Sequence, residues 1–210
     1  MNLHPITAES FAIIDHEIGP HSRPPQDYAV IRRAIHATAD FELLDLFEFS
    51  PGAVDAGIGA LQGRLPVIVD VRMVGMGIAS TLKALGYDQI PCALDFVPGD
   101  DPTLETQGSK LATTRTAAGM LALTQHYATG IFVVGNAPTA LLALVEQIRL
   151  GQVQPALVVG VPVGFVAVEE AKQALAAVDV PQIQVRGRKG GSAVAAAIIN
   201  ALAYLACPNK

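Results

Sequence analysis

Gly130-Ile131-Phe132-Val133-Val134-Gly135-Asn136-Ala137-Pro138-Thr139 decides the architecture. Four apolar residues run without polar interruption between two glycines, the pattern of a strand buried on both faces. Pro138 suits a first helical turn, so a helix follows almost at once. The same rhythm runs outward from this unit. Leu65–Asp70 is a short apolar run followed by helical spacing to about Leu85. Ile90–Leu94, Ala156–Gly160 and Gln182–Arg186 read as further strands. A long helix is expected over Thr103–Ala128, with others from Pro138, to about Val178, and from Ser192. Strands alternating with helices predict an α/β fold: three layers, α/β/α, around a mainly parallel five-stranded sheet.

The first fifty residues differ and read as mostly helical. Phe11, Ile14 and Ile18 share one helical stripe within Ile6–Ile18. Ser22, Pro24 and Pro25 suit the start of a second helix running to about Ala39, and Gly52–Leu61 forms a short third. No repeat, low-complexity tract or linker divides the chain, so residues 1–210 are expected to form one domain.

Composition narrows the function. Hydrophobic residues make up 51% and charged ones 16% of 210, which suits a packed core rather than disorder. A net charge of −5, no Trp and 5% aromatics argue against nucleic-acid binding, which wants basic grooves and stacking surfaces. Cys92 and Cys207 form neither a metal spacing nor a disulfide framework, as suits a reducing cytoplasm. His4, Pro5, Glu9 and Asp15 interrupt any apolar core of a secretory signal. Pro155–Val168 and Ser192–Cys207 are too short and too broken to be membrane spans.

Ligands of such folds bind beyond the carboxyl ends of the strands. Four glycine-rich segments fall there: Asp70–Gly77, Gly135–Thr139, Gly160–Gly164 and Gly187–Ser192. Glycine admits close backbone approach, and helix starts behind such turns offer N–H groups to anions. In the last segment Arg186, Arg188 and Lys189 cluster on an otherwise acidic chain, a pattern that fits either a carboxylate grip or a solvated basic turn. Gly75-Met76-Gly77-Ile78-Ala79-Ser80 carries only two of the three dinucleotide glycines, and no P-loop is present. Met73 and Met76 read as packing residues.

The five histidines, His4, His16, His21, His36 and His126, make no metal-binding spacing. His36 follows Arg32 and Arg33 by four and three positions, so all share one helical face. Neighbouring cations loosen its proton, which suits either proton exchange near neutrality or a structural imidazole. No Gly-x-Ser-x-Gly elbow and no carboxylate pair announces other chemistry.

Taken in order, several motifs resemble the precorrin-8X methylmutase family. They are Ser10–Ile14, Ile35-His36-Ala37, Phe49–Ala53, Met73–Ile78, Gly135–Leu141, Gly160–Val166 and Arg186–Ala195, which together span nearly the whole chain. The resemblance implies a flavodoxin-like domain working as a homodimer in the cytoplasm, with no added cofactor and no metal site. It implies migration of a methyl group from carbon 11 to carbon 12 of precorrin-8X, or of cobalt-precorrin-8, in cobalamin assembly, giving hydrogenobyrinic or cobyrinic acid. His36 would donate the proton; Ser10, Arg33, Arg115, Asn136, Arg186 and Arg188 would contact the tetrapyrrole and its carboxylates. A tetrapyrrole-binding protein without activity and a nucleotide-dependent oxidoreductase stand as the alternatives.

Overall fold

A computed structural model describes residues 4–96 and 114–207. In chain order the elements are α1 (Pro5–Ile18), α2 (Pro25–Thr38), α3 (Leu43–Leu46), β1 (Phe47–Phe49), α4 (Ala53–Gln62), β2 (Val67–Val69) and α5 (Arg72–Ala84). After them come α6 (Arg115–His126), β3 (Ile131–Val134), α7 (Pro138–Arg149), β4 (Leu157–Gly160), α8 (Val168–Ala176), β5 (Gln182–Val185) and α9 (Ser192–Ala206). The strand order is β1-β5-β4-β3-β2, with β1 antiparallel to β5 and the other three junctions parallel. The sheet is therefore mixed.

Alternation along the strands builds two cores. Val67, Val69, Ile131, Val133, Leu157 and Val159 point into one, under α1, α2, α4, α5 and α9. Ile68, Phe132, Val134 and Val158 point into the other, under α6, α7 and α8. Because both faces are covered, no polar residue interrupts β2, β3 or β4. The two glutamines of β5 are buried yet satisfied: Gln182 Nε2 donates to the carbonyls of Leu175 (3.0 Å) and Val178 (3.1 Å).

One strand is misplaced by the sequence reading. Ile90–Leu94 is not a strand: Val69 and Cys92 form an isolated parallel bridge, and Ala93–Asp95 closes a 3-10 turn. Pro91 supplies no N–H, though its carbonyl accepts from the Val69 N–H at 2.9 Å. The fifth strand is instead β1, three residues within the region read as helical. Its Phe-Glu-Phe alternation is an edge-strand pattern, with Phe47 buried and Glu48 exposed. The expected long helix begins at Arg115 among the described residues; the part expected before Thr114 lies outside them.

Asp70–Gly77 is also not an open glycine turn. The helix α5 starts at Arg72, and Gly77 is there for packing: a Cβ on it would stand 2.7 Å from that of Ala196. This close approach lets α9 lie against α5. Met73 and Met76 are 71% and 77% exposed, because Val74, Ile78 and Leu82 form the inner face of α5. They are not core residues.

Candidate functional site

The segments after β3, β4 and β5 close on one another. The Gly191 N–H donates to the Val161 carbonyl (2.8 Å), and the Gly164 N–H donates to that of Arg188 (3.3 Å). Gly190 has φ +145, and a Cβ there would stand 2.2 Å from the Val161 oxygen, so this contact admits only glycine.

Asp70, which the sequence reading passed over, organises this edge. Its side chain is wholly buried at the end of β2 and accepts from the N–H groups of Gly135 (3.1 Å), Asn136 (2.7 Å) and Ala137 (2.8 Å). These are the N–H groups that the glycine-rich reading offered to a ligand anion; an internal carboxylate already occupies them. Burial pushes the Asp70 carboxyl upward, against the pull of the N–H donors of Ala137, Asn136, Gly135 and Val71. The available signal was its position, an acid ending an apolar strand.

The basic turn is likewise engaged. Arg186 pairs with Glu48 (3.7 Å), Arg188 with Glu169 (3.6 Å), and Lys189 with Asp40 (2.7 Å) and Glu42 (2.9 Å). Arg186 and Arg188 are both 61% exposed, and exposed pairs exchange partners at little cost. The Lys189 bridges have a second effect: they fasten the end of α2, one turn beyond His36, to the strand-end loops. Asn136 and Arg115 are exposed at the same edge, where the Thr114 and Thr139 hydroxyls meet at 2.7 Å and tie α6 to α7.

Behind α2 lies a cavity of about 530 Å³ between α1, α2, α5 and α9. Phe11, Arg32, Arg33, Ser80, Asn200 and Tyr204 are among its lining residues. Arg32 bridges Asp15 at 2.7 Å and lies 4.4 Å over the Phe11 ring. The Tyr28 hydroxyl also donates to Asp15, and burial together with that bond pushes Tyr28 up to about 12. Arg33, half-buried, has no hydrogen bond or ion pair among the described residues, and burial lowers its pKa. Arg32 Nε and Asn200 Oδ1 are buried without partners there too. Two cations and the orphaned Arg32 N–H donor, with few counter-charges, suit an anionic ligand, while the Asn200 oxygen can only accept.

His36 meets this cavity through Phe11, its ring edge-on at 5.4 Å between centroids. Burial lowers its pKa, and the Arg33 charge lowers it further. Ser10, half-buried, precedes Phe11 on α1. The packing of α1 on α2 thus sets Phe11 against His36, with Arg33 on the same helix as His36 and Ser10 next to Phe11 in the chain. Arg115, Asn136, Arg186 and Arg188 belong to the strand-end mouth and do not line the cavity. Of the lining, Asn200 and Tyr204 carried no signal in sequence, lying on an apolar helix.

A sheet that carries a basic turn at its strand ends, beside a cation-lined cavity, defines an α/β domain suited to an anionic ligand. Residues 5–205 match the model of the precorrin-8X methylmutase family. The cobalt-precorrin-8 methylmutase of Synechocystis is 44% identical, covering 97% of this chain and 96% of its own length. The precorrin-8X methylmutase of Pseudomonas aeruginosa is 41% identical, covering 94% and 93%. A crystal structure of precorrin-8X methyl mutase from Thermus thermophilus superposes with a TM-score of 0.84 at 44% identity, covering 98% of both chains. This chain belongs to the precorrin-8X methylmutase family.

Methylmutases are isomerases, which places the chain among the enzymes of cobalamin biosynthesis. No helix among the described residues is long and apolar enough to cross a membrane.

Proposed function

We propose that the chain moves a methyl group from carbon 11 to carbon 12 of precorrin-8X or its cobalt form, with His36 as general acid. The observation that carries this reading is Arg33: a guanidinium on a cavity wall with no partner among the described residues, three residues before an imidazole on the same helix. The substrate ring bears carboxylates, and one of them on Arg33 brings the macrocycle beside His36.

The chemistry needs nothing from outside. His36 lends a proton to the conjugated ring, which leaves the receiving carbon electron-poor. The methyl group migrates with its bonding pair, and the proton returns to the imidazole. Atoms and electrons are conserved, so the step asks for neither oxidant nor added cofactor. Such proton transfer contributes about 10²–10⁴-fold. A carboxylate that neutralises Arg33 also removes one of the two causes holding the imidazole pKa down, so binding itself favours the protonated acid. Ser10 stands beside Phe11 to orient the ring. Arg115, Asn136, Arg186 and Arg188 take carboxylates at the mouth, the last two by exchanging Glu48 and Glu169 for the ligand.

Two finer features belong to the same reading. The Cys92 bridge lies outside β2, while β3, β4 and β5 follow on the other side, so the chain reverses direction once, at β2. That winding is the flavodoxin-like one, with the ligand crevice at the reversal. Met73, Met76, Phe165 and Val166 are all more than 70% exposed after strand ends, an apolar surface suited to a second copy in a homodimer. A cytoplasmic location fits the pathway.

The test is conversion of precorrin-8X and of cobalt-precorrin-8, followed by absorbance. Corrin spectra from the wild type and none from His36→Ala support the reading. Near wild-type turnover by His36→Ala removes His36 as the acid, and bound but unconverted tetrapyrrole favours the binding-protein alternative.

A further inference from the structure

One buried charge has no part in the chemistry above. Lys172, on α8, is 5% exposed, yet Nζ has no carboxylate within salt-bridge distance among the described residues. Its ammonium donates instead to two backbone carbonyls, those of Gly187 and Lys189, each at 2.7 Å. Burying an ammonium is costly, and only full hydrogen bonding compensates it. The two carbonyls flank Arg188. With both drawn inward onto one cation, the Arg188 side chain stands outward, 61% exposed. Lys189, in the same turn, fastens Asp40 and Glu42 beyond the end of α2. Glycine at 187, with φ +70, lets the backbone make this shape.

We propose that Lys172 is a positioning residue for substrate binding: by gripping the Gly187 and Lys189 carbonyls it holds the basic turn so that Arg188 faces the ligand's carboxylates and Lys189 anchors the helix carrying His36. The proposal rests on the reading of Arg188 as a substrate contact. Burial lowers the Lys172 pKa to about 8, against the pull of Glu169 and Glu48, so the clamp is at full charge only below that pH. Glu48, Glu169 and Arg186 face Lys172 around a small cavity, with Arg188 and Lys189 on the turn itself. Carboxylates, guanidinium groups and solvated ammonium groups as classes keep their charge between about pH 7 and 9.

The experiment is steady-state kinetics on cobalt-precorrin-8 with Lys172→Met, Lys172→Arg, Arg188→Ala and the Lys172→Met/Arg188→Ala double variant. Because the clamp acts through the Arg188 contact, Lys172→Met is expected to raise KM several-fold, no more than Arg188→Ala does, and to change kcat far less. Lys172→Arg restores most of the loss. In the Arg188→Ala background Lys172→Met adds little, because both act on one contact. In the wild type KM rises with pH above about 8, and Lys172→Arg flattens that rise, since a guanidinium stays charged. This second readout decides the matter if Lys172→Met does not fold. A wild-type KM in Lys172→Met beside a weakened Arg188→Ala overturns the clamp alone, as does a pH rise unchanged in Lys172→Arg. A wild-type KM in Arg188→Ala overturns the Arg188 contact and with it the premise of the clamp.

Discussion

Two basic regions of this molecule look alike in sequence and are opposite in structure. On α2, Arg33 faces a cavity with no partner among the described residues. At the strand ends, Arg186, Arg188 and Lys189 all pair with carboxylates of the chain itself. A guanidinium withdrawn from water and left unpaired costs stability, so its retention points to a ligand that completes it. Exposed pairs cost almost nothing and release their cations readily. On the proposed reading, binding energy concentrates on the cavity side, and the mouth shares it among weak, exchangeable contacts.

The predictions break or sharpen that contrast. The largest effect is expected at His36: replacing it with Asn should lower kcat by about 10²–10⁴-fold while substrate still binds, as followed by the change in corrin absorbance. A residual rate within threefold of wild type would place the acid elsewhere. Next comes Asp70, where the contrast is structural. Asp70→Ala leaves two buried N–H groups and one part-buried one without their acceptor and is expected to destabilise the fold by about 3 kcal/mol, read from urea unfolding. Third, Arg33→Met should raise KM by about 10–100-fold, as expected of a desolvated charge-assisted contact, with no loss of melting temperature. A drop in stability equal to the loss in binding would mean that Arg33 serves the fold.

The pH dependence sharpens the same point. Burial and Arg33 hold the free enzyme's His36 below the usual imidazole value, so kcat/KM should fall as pH rises through that lowered pKa. In the complex a ligand carboxylate offsets Arg33, so kcat should fall only at a higher pH. Coincident profiles would separate Arg33 from the bound carboxylate. The smallest effect is expected at the mouth: Arg188→Ala should raise KM only several-fold, and more weakly at high salt, as for exposed charges.

Much of this protein was legible along the chain. Unbroken apolar runs at β2, β3 and β4 can arise only where both faces of a sheet are covered, so the layers followed from them. His36 and Arg33 were legible as neighbours because a helix places residues three apart on one side. The failures have separate causes: Phe47–Phe49 is too short for its period to stand out, and Ile90–Leu94 has strand composition but a proline as its second residue.

By itself, then, the amino-acid order determined the alternation of strands and helices and which side chains share a helical face, since both depend on periods of a few residues. Only the tertiary structure decided that Asp70 takes the N–H groups of the Gly135–Ala137 turn, that the basic turn is paired, and that Lys172 sits beneath it. Whether a charge is matched depends on groups brought close from distant parts of the chain, and no local pattern records that distance.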